Sequence, residues 1–276
     1  MISKEEFWSL LLKGPLRELV ENLSVGECTQ PLSLHELAAQ AGIRAVLTAP
    51  KLISLDTLES LPPSLKQRGL YVIRLGQRHK GRATFILCKA SANYAREALR
   101  PEDLEKARGL QVELSHLPRW ILSLARRLSS EAIALIAAIS FIKALSGTPE
   151  VQVIPSMRLA SAKFEFKPTE ASGPYTYWGQ VEIDAALGAD RIYVLEAKSG
   201  RRSLLKYKLA FSALALAGFL EEPVHPLLAF ISRRGTGVEV ELALLNPPAG
   251  SEQQDLAPYV IDQMEPVFRA KVSLSS

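Results

Sequence analysis

The stretch Gly179-Gln-Val-Glu-Ile-Asp184-Ala-Ala-Leu-Gly188-Ala-Asp190-Arg-Ile-Tyr-Val-Leu-Glu196-Ala-Lys198 decides how this chain is read. Residues 180–187 and 191–198 each carry a strand pattern, and Gly188-Ala-Asp190 makes the tight turn between them. Side chains alternate along a strand, so Glu196 and Lys198 share one face while Leu195 and Ala197 take the other. Paired antiparallel about Gly188, the two strands bring Asp184 beside Glu196. Two carboxylates held that close repel each other unless a cation lies between them. Mg²⁺ is a hard cation that accepts a few carboxylates and keeps several waters. A site of that kind polarises a phosphate and makes a water more acidic. Lys198 beside it is placed to orient or deprotonate that water and to offset charge developing on phosphorus.

The flanks fit a sheet enclosed by helices. Upstream, Ser129 and Ser130 can cap an apolar helix over residues 131–145 that Gly147 and Pro149 end. It is apolar on nearly every face, which predicts burial against a sheet. Strands are expected at 151–154 and 161–167, followed by a turn-rich stretch over 168–179. Downstream, residues 204–220 read as a helix, and 226–232 and 237–245 as strands. This order predicts an α/β fold with a mixed central β-sheet flanked by helices, over residues 111–276.

Residues 1–110 read as a separate α+β domain. A helix is expected over 7–22, from the spacing of Trp8, Leu11, Leu12, Leu16 and Val20. Another is expected near 33–42, with Ser33 as N-cap, Glu36 three residues on and Gly42 as the stop. Strands over 70–75 and 83–89 enclose a loop with Arg78, Lys80 and Arg82. That loop reads either as the basic wing of a winged helix or as a solvated hairpin tip; Pro50 interrupts the segment where a second recognition helix would fall. A charged surface helix is expected over 100–110, with Pro101 in its first turn.

The 276 residues are 47% hydrophobic and 22% charged, with formal net charge +4, the balance of a folded domain with mild affinity for polyanions. Cys28 and Cys88 lack metal-ligand spacing, so a disulfide or zinc site is not expected. Cys88 sits in an apolar run and reads as a buried free thiol, a pattern that suits a reducing cytoplasm. No signal peptide and no apolar run long enough to span a bilayer stand out, so no membrane role and a cytoplasmic location are expected. Arg201, Arg202, Lys206 and Lys208 cluster at a helix start and read as a phosphate cradle or a solvated basic face. Lys163, Glu165 and Gln180 could reach the same cleft, and Glu182 could replace a ligand. Tyr175, Tyr177 and Trp178 could pack under the sheet or stack on DNA. His116 and His225 lack partners at ligand spacing and read as non-catalytic.

Asp184 followed by Glu196-Ala-Lys198, between an apolar helix and a second helix, resembles the PD-(D/E)xK nuclease superfamily, of which type II restriction endonucleases are a large part. The similar core covers residues 129–245. The segments Thr48-Ala-Pro-Lys-Leu52 and Leu61-Pro-Pro-Ser-Leu-Lys-Gln-Arg-Gly-Leu-Tyr-Val-Ile73 look like ones that accompany that core in a group of predicted type II restriction enzymes. Ile183 stands where the family usually has proline. The resemblance implies a restriction-endonuclease-like core and hydrolysis of double-stranded DNA with Mg²⁺, for which Mn²⁺ can substitute. It implies metal ligands at Asp184, Glu196 and a further helix acid, Glu131, whose other reading is a first-turn acid favoured by the helix dipole. It also implies a homodimer matched to a palindromic site. Arg78, Lys80, Arg82, Lys163, Gln180, Arg201 and Arg202 are the candidate DNA contacts. The alternatives are a structure-specific nuclease of junction-resolvase type and a non-catalytic DNA-binding protein on the same fold.

Overall fold

The structure is a computed structural model that describes residues 2–43, 49–76, 83–114, 117–200, 202–235, 237–247 and 259–274. The chain opens on helix α1, Lys4–Lys13, capped by Ser3 accepting from the Glu6 N–H. The single helix expected over 7–22 is two helices, α1 and Arg17–Glu21. Gly14 caps the first and Pro15 has no N–H to continue it, so the chain turns before the second begins.

Strands β1, Leu70–Gly76, and β2, Thr84–Lys89, form the expected hairpin. The second helix of the core part is α2, Ser130–Ser146, capped by Ser129 accepting from the Ala132 N–H and ended by Gly147 at φ 69°. Strand β3 is one continuous strand, Gln152–Lys167, rather than the two expected pieces, and it carries a register shift between Leu159 and Ala162. Strand β4, Tyr175–Gly188, begins inside the stretch expected to be turns, because Tyr175, Thr176 and Tyr177 pair with Phe166, Glu165 and Phe164. Strand β5 is Ile192–Ser199. Helix α3, Lys206–Leu220, starts later than expected because Leu204 and Leu205 pair as a short strand with Ala98 and Leu99. Strands β6, Val224–Arg234, β7, Gly237–Leu245, and β8, Pro266–Leu274, complete the main elements. The charged segment near residue 100 is a short 3₁₀ helix, Pro101–Lys106.

These strands, with shorter ones, join in one mixed sheet of 11 strands among the described residues, ordered β2-β1-β4-β5-β6-β7-β8 through its middle, with β3 on the other side of β4. The β5–β6 pair is parallel and its crossover is α3, while β3–β4, β4–β5, β6–β7 and β7–β8 are antiparallel. The molecule is therefore a mixed α/β protein with a large sheet flanked by helices. The N-terminal hairpin joins the sheet at Gly76 opposite Trp178. Gly76 has φ +86°, and a Cβ there would stand 1.9 Å from the Trp178 carbonyl oxygen, so only glycine permits this approach.

Two apolar layers bury the sheet. On one face α2 lays Ile133, Ala134, Ala137 and Phe141 on Leu195, Ala197, Leu227 and Val240. On the other, α3 packs Phe211 and Leu214 with Phe164, Phe166 and Tyr177, in a cluster that runs on to Phe7, Trp8 and Leu11 of α1. Phe211 meets the rings of Phe164, Phe166 and Tyr177 at 4.8–5.1 Å between centroids, an aromatic core whose edge-to-face and tilted pairs each add of order 1 kcal/mol.

The two cysteines are not separate thiols. Cys28 and Cys88 are joined by a disulfide, with Cα atoms 4.0 Å apart. Residues 26–29 run antiparallel beside β2, with hydrogen bonds Gly26 N to Lys89 O, Lys89 N to Glu27 O and Thr29 N to Leu87 O. That pairing sets Cys28 opposite Cys88 although 60 positions separate them. The inference of a reducing compartment from free thiols loses its ground. No helix among the described residues is long and apolar enough to cross a membrane.

Burial raises the hydroxyl pKa of Tyr71, Tyr175, Tyr177, Tyr193 and Tyr207, and that of Tyr94 to about 12, with Glu97 pushing the same way on Tyr71 and Tyr94. A group whose folded pKa lies above its unfolded value stabilises the fold below the unfolded value, near 10, and that contribution fades as pH climbs through the folded one. Alkaline titration followed at the tyrosinate absorbance is expected to show little ionisation until above pH about 10, then a cooperative rise with unfolding. Smooth ionisation centred on the ordinary tyrosine value, with the fold intact, would show these hydroxyls to be solvated.

Candidate active site

Strands β4 and β5 pair only at Ala185–Leu195, Ala186–Val194, Leu187–Tyr193 and Gly188–Ile192. Beyond Ala185 they separate, and β5 continues alone beside β6, with Glu196 opposite Leu228 and Lys198 opposite Phe230. Asp184 sits at the point of separation. Its Oδ2 accepts from the Ala197 N–H at 2.8 Å, so the side chain takes up the backbone donor that the departing strand leaves free. This contact ties Asp184 to the Glu-Ala-Lys segment.

Glu196 points to the α3 face and is 1% exposed. Lys198, two residues on, points the same way, and its Nζ donates to Glu196 Oε1 at 2.6 Å. Lys208 from the start of α3 approaches the other oxygen, Nζ to Oε2 3.6 Å, and donates to the Glu182 carbonyl at 3.1 Å. Glu196 Oε2 is buried without a hydrogen-bond partner among the described residues. Burial pushes the Glu196 carboxyl above the usual carboxylate range; Lys208 and Lys198 draw it back, and Asp184 pushes it up again. Burial alone would lower Lys198, but the Glu196 carboxylate beside it outweighs that, so its ammonium is held more firmly.

Asp184, Glu196 and Lys198, singled out by spacing, are thus brought together. Glu131 is not brought to them. It is exposed in the first turn of α2, and α2 covers the Leu195 and Ala197 face of the sheet, opposite Glu196. Glu182 turns outward, where Arg158 binds its Oε1 at 2.7 Å and Gln180 donates to it at 3.2 Å. Lys163 is exposed beside Trp178, its Nζ 5.5 Å from the ring centroid. Glu165 is exposed on the same strand and Arg202 is exposed after β5. Arg78, Lys80, Arg82, His116 and Arg201 lie outside the described residues.

The basic cluster expected at the start of α3 does not form one patch. Lys206 is 1% exposed and turns inward to Glu265 at 3.1 Å and the Asp262 carbonyl at 3.0 Å, whereas Lys208 turns to Glu196. Two positions apart at a helix start point nearly opposite ways. Tyr175 and Tyr177 are packed, donating to the Thr29 and Gln180 carbonyls, while Trp178 stays 43% exposed. His225 is buried against Tyr193.

The sequence gives no local sign of the residues that reach this site from the first part of the chain. The segment around Asp56 is fastened to the loop after β5. Leu205 N donates to Asp56 O, Leu58 N to Ser203 Oγ, and Ser203 N to the Glu59 carboxylate. Asp56 Oδ1 accepts from the Tyr207 hydroxyl at 3.1 Å, and its charge also strengthens the hold on the Lys198 proton.

The donor set fits a hard divalent cation in one respect. A buried carboxylate oxygen with no hydrogen-bond partner among the described residues, next to a second carboxylate, is an acceptor that a cation would satisfy. Among the described residues no three His, Cys, Asp or Glu side chains gather into a cage, so the protein's share would be two carboxylates. No protein-family model, curated protein or solved structure matches this chain.

Proposed function

We propose that this protein is a Mg²⁺-dependent endonuclease that hydrolyses phosphodiester bonds in double-stranded DNA, of the type II restriction kind, on a restriction-endonuclease-like core. One observation carries the reading: Asp184 and the buried, partly unpartnered Glu196 stand where two strands separate, with Lys198 at 2.6 Å. Asp184 and Glu196 would hold the metal. The chemistry supplied by bound Mg²⁺ is Lewis-acid polarisation of the phosphodiester and a more acidic water. Lys198, held as an ammonium by Glu196, orients the attacking water and offsets the charge developing on phosphate oxygens. Lys208 opposes the effect of burial on Glu196 and favours its ionised form. Asp184 is fixed by the Ala197 N–H, so the two carboxylates do not have to be ordered when substrate arrives. A homodimer completes the reading, because two cuts in a palindrome call for two-fold symmetry.

The test is incubation of the purified chain with plasmid in Mg²⁺ and in EDTA. Discrete fragments in Mg²⁺ alone are expected, and they should vanish in Asp184→Asn. Cutting confined to branched DNA would move the assignment to a resolvase. Binding without cutting would reduce the protein to a DNA-binding module.

A further inference from the structure

Beside the carboxylate pair lies a cleft of about 330 Å³ between the first part of the chain and the sheet, with Asp56, Arg74, Tyr177, Gln180, Glu182 and Lys208 on its walls. Lys208 is the wall it shares with the proposed cutting site, since its Nζ is 3.6 Å from Glu196 Oε2. Arg74 enters from β1 and is half-buried. Its guanidinium meets Ser54 Oγ at 3.4 Å and lies against the Tyr177 hydroxyl. Among the described residues no carboxylate stands within ion-pair distance of it. The two acids on the walls are otherwise engaged, Asp56 by Tyr207 and Glu182 by Arg158.

A guanidinium partly withdrawn from water, with most of its five donors unused, gains from an anion that its planar fork can grip in two places. A phosphate has that geometry. Lys208 on the facing wall supplies a second positive charge. We propose that this cleft binds a phosphate of the DNA strand next to the one being cut, clamped by Arg74 with Lys208. The first part of the chain thereby contributes a positioning residue to the nuclease site. This rests on the nuclease reading, and it gives the N-terminal hairpin a role at the cut itself, independent of base readout.

Metal-free binding of a short fluorescein-labelled DNA duplex, followed by anisotropy in EDTA across about 50–200 mM salt, separates the clamp from catalysis. For Arg74→Gln the dissociation constant is expected to rise about tenfold, uniformly across sequences, and the salt slope to fall by about one. Arg74→Lys keeps the charge without the fork and should recover the slope but only part of the affinity. Arg17→Gln, on an exposed remote helix, is the reference. Its partner there is Glu21, at 3.2 Å. If Arg74→Gln and Arg74→Lys bind with the reference affinity and slope, the clamp is overturned even when wild-type protein cuts plasmid. If Arg74→Gln weakens duplex binding as described but wild type never cuts, Arg74 still grips a DNA phosphate and it is the nuclease reading, with the place of that phosphate beside a cut, that falls. Wild-type protein that binds no duplex overturns the clamp outright. Should Arg74→Gln fold poorly by circular dichroism, Arg74→Lys alone decides, and full wild-type affinity in it counts against the fork.

Discussion

Lys198→Ala is expected to abolish Mg²⁺-dependent cleavage, by about 10³-fold or more, and to lower stability by about 2–3 kcal/mol. The two effects have separate origins. The rate falls because, among the described residues, no other ammonium sits within hydrogen-bond reach of Glu196; Lys208 is 3.6 Å away and committed to the Glu182 carbonyl. Stability falls because Glu196 is 1% exposed, and removing its 2.6 Å partner leaves a buried carboxylate held only by the longer contact. Breaking a buried pair usually costs about 3–5 kcal/mol, and the surviving Lys208 moderates that figure. Asp184→Asn should behave differently. Asparagine keeps an oxygen to accept from the Ala197 N–H, so the strand junction survives and stability should change by less than about 1 kcal/mol. The charge is gone, so cleavage should fall as far as in Lys198→Ala. Initial rates on plasmid, paired with urea midpoints for each variant, measure both. Cleavage at the wild-type rate in Lys198→Ala would remove that residue from the site. Equal destabilisation by the two variants would refute the account of Glu196 as a buried charge in need of a partner.

The trio could be read from the sequence because its relations are local. Glu196 and Lys198 are two apart on one strand, and Asp184 is placed by a hairpin whose turn is marked by Gly188. The helix over 131–145 was equally legible, from Ser129, Gly147 and an apolar run. What covers which face was not legible. Nothing in the order of elements says that α2 lies against Leu195 and Ala197 rather than against Glu196, and that alone separates Glu131 from the carboxylates. The separation of β4 from β5 at Asp184 also escapes strand periodicity, since residue pattern sets the face of a side chain and not where a ladder stops. Lys206 and Lys208 looked alike as basic residues at a helix start, yet one is buried against Glu265 and the other faces Glu196. Asp56 and Arg74 come to the cleft from over a hundred residues away, through packing that no motif records.

Reducing the Cys28–Cys88 bond is the second change expected to have a large effect, on stability alone. The bond closes a loop of 60 residues, and its main action is to restrict the unfolded chain. The chain-entropy account gives about 3 kcal/mol for a 15-residue loop and about 4.7 for a 100-residue loop, which places this one near 4 kcal/mol. With an unfolding entropy of about 2.1 cal/mol/K per residue, each kcal/mol moves the melting temperature of this 276-residue chain by about 2 °C, so reduction should lower it by about 7 °C. The native arrangement should persist without the bond. Residues 26–29 stay strung along β2 by backbone hydrogen bonds, Thr169 Oγ1 donates to Gly26 O, and the Tyr175 hydroxyl donates to Thr29 O. The bond lies at β2, with β1 between it and β4, so cleavage measured well below the lowered melting temperature should be unchanged. Cys28→Ser with Cys88→Ala reproduces the reduced state without reductant, alanine being the right partner because Cys88 is fully buried and a hydroxyl there would lack a hydrogen bond. Calorimetry of the oxidised protein, the reduced protein and the double variant decides the matter. Equal melting temperatures in all three, with the thiols of the reduced sample confirmed by titration, would mean that the unfolded chain does not explore the states the bond excludes.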